Sequence, residues 1–151
     1  MRIASAFGLG FVVGFERELR GSVAGDRTFA LVATGTAAVV AVTFQTSPQA
    51  VAGAVTGIGF IGAGIVFHST DGGIKGITSA AAIFAVAAVG LVCGYGHIGL
   101  AAVTTAVIVL ALELDHIPVI RHFDGRRYAP RFRKDTDPPA GMNSGDGRET
   151  P

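Results

Sequence analysis

The sequence predicts an all-α fold: a polytopic helical membrane bundle of about five transmembrane helices, with glycine-rich central helices. Three observations carry that expectation. Half of the 151 residues are hydrophobic and only 15% are charged, against about 25% charged in soluble domains. From residue 29 to residue 67 there is no Asp, Glu, Lys or Arg, so a helix there has no solvated face to offer water. The apolar residues also fall into runs of near-membrane length, and a span needs about 20 residues.

Taken in order, the first apolar run covers residues 3–15. It is short for a span unless it continues through Glu16 and Arg17. Glu16-Arg17-Glu18 stands where a signal peptide would need a small-residue cleavage site, so the run reads as a helix rather than a removed leader. Residues 30–44 and 50–67 are the second and third runs, divided by Ser47-Pro48-Gln49. The fourth, residues 77–95, follows Ser69-Thr70-Asp71-Gly72-Gly73. The fifth, residues 98–112, follows Gly94-Tyr95-Gly96-His97 and ends at Glu113 and Asp115. Runs three and four reach span length alone; one, two and five need their flanks. Because the last break is so short, four spans with one re-entrant or interfacial segment is the competing count.

Basic residues set the orientation. Arg17, Arg20 and Arg27 follow run one, Lys75 follows run three, and seven more from Arg121 to Arg148 follow run five. With five spans, eleven of the twelve basic residues fall on one side and only Arg2 on the other. The positive-inside rule then places the N-terminus outside and the C-terminus in the cytoplasm of a bacterial inner membrane. The chain divides into a transmembrane domain, residues 1–115, and a cytoplasmic basic and polar tail, residues 116–151, expected to be disordered. The lipid bilayer is thus the first partner.

Several functional classes are set aside. Cys93 is the only cysteine and has apolar neighbours, so there is neither a disulfide framework nor a cysteine zinc site. His68, His97, His116 and His122 are scattered without metal-ligand spacing, and no metal or cofactor is expected. No nucleophile–base constellation or P-loop is present, so no catalytic residue is assigned and no enzyme is expected. The basic tail is short and poor in aromatics, against nucleic-acid binding. Gly57-Ile58-Gly59-Phe60-Ile61-Gly62 spells GxGxxG, but no acidic residue follows at ribose distance and the motif lies inside an uncharged run. Its glycines read instead as close-packing residues, because lipid gives helices no hydrophobic drive to associate. Gly10 and Gly14, Gly53 and Gly57, and Gly90 and Gly94 are small-xxx-small pairs. The third run is then expected to be the central, tightly packed helix.

The charged clusters are the candidate functional residues. Glu16, Arg17 and Glu18 lie at a membrane edge, where ionisable groups are costly, and Glu16 and Arg20 are spaced i,i+4 to pair. An interface anchor is the plainer reading of that cluster. Asp26-Arg27-Thr28 opens run two with Asp26 as the expected N-cap. Lys75-Gly76-Ile77-Thr78-Ser79 opens run four, with Thr78 or Ser79 free to cap it or to bond across helices. In the five-span topology all three clusters converge on one cytoplasmic polar vestibule.

These residues carry a resemblance. The stretches 11–21 and 24–32, then Gly57 to Gly64, then Lys75 to Ala81, resemble in order and spacing the MgtC/SapB family over residues 6–112. The resemblance implies a bacterial inner-membrane protein of about five spans, linked to growth in low magnesium and to survival and virulence inside host cells. It further implies action by restraining the F-type ATP synthase rather than by transporting magnesium. Carried over by position, the family-motif residues are Glu16, Arg17, Glu18, Arg27, Thr28, Gly59, Gly62, Gly64, Gly76 and Thr78. Asp26 stands where the family usually has an apolar residue, Lys75 and Ser79 replace Arg and Thr, and Phe84 replaces a common Trp. The tail is too polar for the C-terminal cytoplasmic domain of longer members, so the chain resembles the short, SapB-like branch, and its start is expected to be clipped.

The expected function is a non-enzymatic membrane regulator that binds a membrane complex through its helices, under magnesium limitation or intracellular stress. A small cation transporter or channel, with Glu16 and Asp26 at its mouth, and a structural membrane protein without a ligand are the alternatives. Further copies of the chain are a candidate partner. Composition does not separate a partner-binding face from a bundle-packing one.

Overall fold

The computed structural model describes residues 1–43, 45–67 and 76–114. Five helices occupy them: α1 (Arg2–Leu19), α2 (Asp26–Thr43), α3 (Pro48–Phe67), α4 (Ile77–Gly94) and α5 (Ile98–Glu113). The five apolar runs are the five helices, and the first run does continue through the Glu16-Arg17-Glu18 cluster. An 18-residue helix such as α1 or α4 is about 27 Å long, close to a hydrocarbon core of about 30 Å. By length and composition α3 and α4 are apolar enough to cross a membrane, while α5 is shorter. No strand lies among the described residues, and the GxGxxG glycines sit inside one continuous helix. The strand–turn–helix that a dinucleotide site requires is therefore not there.

Local chemistry fixes the helix ends. At the end of α1, Gly21 takes φ +66°, Gly21 N–H donates to Glu18 O and Ser22 N–H to Arg17 O. At the end of α4, Gly96 takes φ +93°, Gly96 N–H donates to Cys93 O and His97 N–H to Val92 O. Both are Schellman caps, whose left-handed residue strongly favours glycine. The second cap separates α4 from α5 and makes residues 98–113 a helix of their own. Pro48 opens α3 at the first helical position, where its missing N–H costs nothing. Thr34, Thr36, Thr43, Thr56, Thr104 and Thr105 each donate to a carbonyl one turn back. Their hydroxyls are thus satisfied within apolar helices.

Met1 to Glu113 forms one compact unit, with the helices running alternately up and down. The C-terminal ends of α1, α3 and α5 share one end of the bundle with the N-terminal ends of α2 and α4. Ser22 Oγ and Ser79 Oγ are 2.9 Å apart there, and Arg20 binds Glu113. At the opposite end Arg2 donates to Gly94 O at 3.2 Å, tying the start of α1 to the last turn of α4.

The centre of the bundle is α4, not α3. Helix α4 packs against all four others and buries Ala82, Ile83, Val86, Ala87, Val89, Gly90, Cys93 and Gly94. Helix α3 touches only α2 and α4, and a side chain added at Gly53, Gly57, Gly59 or Gly64 would meet nothing within 4 Å among the described residues. The other two glycine pairs do mark close crossings. A Cβ at Gly10 would stand 2.8 Å from Ala33 Cβ, at Gly14 2.6 Å from Asp26 Cα, and at Gly90 2.3 Å from Ala33 O. A Cβ at Gly94 would lie 2.6 Å from Val40 Cβ. Glycine permits close approach; which helix approaches is decided by the neighbours. The expected tail from residue 116 lies outside the described residues.

Candidate functional site

The charged end of the bundle is built from the last turn of α1 outward. The Schellman turn at Gly21 reverses the chain, delivers Ser22 to Ser79 in the first turn of α4, and leaves a six-residue connection to α2. Across that connection the Glu18 carboxylate reaches the start of α2, where Oε2 accepts from Asp26 N–H at 3.1 Å. A Cβ at Gly25 would stand 2.7 Å from that same Oε2, so glycine leaves the carboxylate room.

Gly25 rather than Asp26 holds the N-cap position. The carbonyl of Gly25 accepts from Thr28 and Phe29 N–H, and Asp26 is the first helical residue. Asp26 still serves the helix end, since its Oδ1 accepts from Arg27 N–H. The expectation that Asp26 is the cap itself is corrected by one residue, and the capping of its own N–H falls to Glu18. Negative charge from both residues is favourable beside the positive end of the α2 dipole.

Glu16 and Arg20 pair as their spacing predicts, with Arg20 Nε 2.6 Å from Glu16 Oε1. Arg20 also binds the carboxylate of Glu113, 93 residues away at the end of α5. That hydrogen bond to Glu113, partly opposed by desolvation and aided by Glu16, raises the Arg20 guanidinium pKa above its ordinary value. Arg17 Nη1 stands 3.9 Å from Glu16 Oε2. Among the described residues, Glu16 Oε2 and Arg17 Nε are buried without a hydrogen-bond partner.

Glu18, Ser22, Gly25, Asp26, Arg27 and Thr28 line an open cavity of about 450 Å³ beside these ion pairs. The structure thus brings Glu16, Arg17, Glu18, Asp26, Arg27 and Thr28 to one end. Gly76, at φ +86°, and Thr78, which is exposed, open α4 at that end, and Lys75 lies outside the described residues. The α3 glycines do not line the cavity: Gly62 rests 3.5 Å from Ala80 of α4 as measured from an added Cβ, while Gly59 and Gly64 face open space. Ser79 bonds across to Ser22 rather than capping α4, which has no side-chain cap. Two participants are new, Glu113 and Ser22. The signal for Glu113 was its place at the close of the fifth apolar run, on the same side as Arg20 in a five-span count. Nothing in the local sequence singled out Ser22.

Chemically, this end holds and orients. The Glu18 and Asp26 oxygens serve backbone N–H groups, and Glu16 and Glu113 share a guanidinium. Among the described residues no group of three or more His, Cys, Asp or Glu is placed to hold a metal ion.

Comparison with known proteins identifies relatives of this chain. The MgtC family model matches residues 3–117. The chain is 46% identical over 112 residues to Protein MgtC of Brucella abortus (strain 2308), covering 71% of this chain and 47% of that one. It is 36% identical over 115 residues to Protein MgtC of Salmonella typhimurium (strain LT2), covering 74% and 49%. An uncharacterized protein of Haemophilus influenzae is 33% identical over 140 residues, covering 83% and 58%. The chain therefore spans about half the length of the curated MgtC proteins it matches. No solved structure matches it. With two helices apolar enough to cross a bilayer and a family model matched over most of its length, this is a membrane protein, and the chain belongs to the MgtC family.

Proposed function

We propose that this chain is a multi-pass protein of the bacterial inner membrane, with its N-terminus outside and its charged end in the cytoplasm. It acts there without chemistry of its own, as a regulator of a membrane complex under magnesium limitation or intracellular stress. The observation that carries this reading is the charged end itself. Its carboxylates are committed to helix capping and ion pairing, an arrangement suited to presenting an ordered charged surface to a partner. The odd number of helices, which assigns eleven of the twelve basic residues to that side, supports the orientation. Family resemblance makes the F-type ATP synthase the proposed partner.

The test is growth of a deletion strain in low magnesium with cellular ATP measured alongside. A regulator that restrains ATP synthesis predicts poor growth together with excess ATP, both reversed by the wild-type gene. Poor growth with unchanged ATP would remove the ATP synthase from the reading.

A further inference from the structure

We propose that Glu16, Arg20 and Glu113 form an ionic latch that holds the C-terminal half of α5 against α1, and that α5 swings outward when the latch opens. The latch does not depend on the function proposed above.

Three features of the structure lead to it. First, α5 is thinly held where the latch sits. Its buried residues are Ala101 and Thr105, and from residue 106 to residue 113 none is buried. Ile108, Val109 and Leu112 are only partly covered by the core. Second, among the described residues α5 packs against α1 and α4 and makes no contact with α2 or α3. The Arg20–Glu113 pair ties the two helices together at this point, and it joins side chains 93 residues apart.

Third, the open state has its compensation in place. When Glu113 leaves with α5, Arg20 stays paired with Glu16 at 2.6 Å, so the buried Glu16 carboxylate keeps its counter-charge. Arg17 Nη1 already stands 3.9 Å from Glu16 Oε2, just beyond hydrogen-bond reach. That oxygen and Arg17 Nε are both buried and unbonded among the described residues. Glu16 therefore sits between two guanidiniums, one bonded and one just beyond reach. Gly21, left-handed at φ +66° immediately after Arg20, ends α1 there and keeps Arg20 at the mouth of the bundle.

The experiment places spin labels at Leu19→Cys and at Leu110→Cys in the C-terminal half of α5, both exposed, and reads their separation by pulsed EPR in lipid nanodiscs. Cys93, fully buried, stays in place, with single-label controls. The otherwise native protein is expected to give one narrow distribution. Glu113→Gln is expected to add a longer-distance population, and Arg27→Gln, which removes a charge at the same end outside the latch, is expected to leave the distribution unchanged. The unsubstituted labelled protein in about 1 M salt, where the screening length falls to about 3 Å, is expected to shift in the same sense as Glu113→Gln. The salt series decides the matter even if Glu113→Gln is not recovered folded. An unchanged distribution in either arm, or the same shift with Arg27→Gln, overturns the latch.

Discussion

Glu18 acts through one oxygen. Its Oε2 takes the first free N–H of α2, from Asp26, while Gly25 stands aside to let it approach. A side chain that satisfies a helix-end donor contributes about 1 kcal/mol, with a range of roughly 0.5–2. Glu18→Ala is therefore expected to lower stability by about that amount, and Glu18→Gln, whose amide oxygen still accepts, by less. Thermal unfolding of the detergent-solubilised protein measures both, and equal losses would show that charge rather than the cap is responsible. This residue shows how far local sequence reaches. The i,i+4 pairing of Glu16 with Arg20 was legible because helical geometry alone fixes it. The cap was not legible to the residue, because Asp26 and Gly25 differ only in where the preceding loop ends. Glu18 reached Asp26 through a turn set by Gly21, two elements acting together.

At the scale of elements, the helices were legible and their neighbours were not. Apolar runs, Pro48 and the glycines after α1 and α4 mark the helices almost to their ends, because these are local requirements of backbone and bilayer. The close crossings are another matter. Gly53-xxx-Gly57 and Gly90-xxx-Gly94 have the same spacing, yet the first faces open space and the second is pressed against α2. The difference lies in the partner: Ala33, Thr36, Ala37 and Val40 present a matching face on α2 to α4. Gly90→Ala would drive a methyl against Ala33 O and Thr36 Oγ1, and overpacking of that kind costs about 1–3 kcal/mol. Gly57→Ala meets no obstacle and gains helix propensity of up to about 1 kcal/mol. Denaturation in mixed micelles is expected to show Gly90→Ala destabilised and Gly57→Ala neutral or stabilised. If both lose stability alike, the α3 glycines are packed against something and the open face assigned to them is wrong.

At the largest scale, Met1 to Glu113 is an up-and-down bundle whose two ends differ in chemistry. One end gathers Glu16, Arg17, Glu18, Arg20, Asp26, Arg27 and Glu113; the other carries Arg2 folded onto the last turn of α4. Five antiparallel helices put the first and last residues of the bundle at opposite ends, whereas four spans with one re-entrant segment would return them to the same side. The two arrangements make opposite statements about the chain after α5. A reporter enzyme active only outside the cytoplasm, fused after Leu114, is expected to be silent in the five-span protein while the chain starts outside. The same reporter inserted at Gln45, between α2 and α3, or at His97, between α4 and α5, is expected to be active. Activity after Leu114 together with silence at Gln45 would invert the orientation and carry the charged end to the outer face. Activity after Leu114 together with activity at Gln45 and His97 would instead mean that α5 does not cross. Because the proposed function has a cytoplasmic partner docking at the charged end, either outcome would move the search for that partner to the other side of the membrane or to a different part of the bundle.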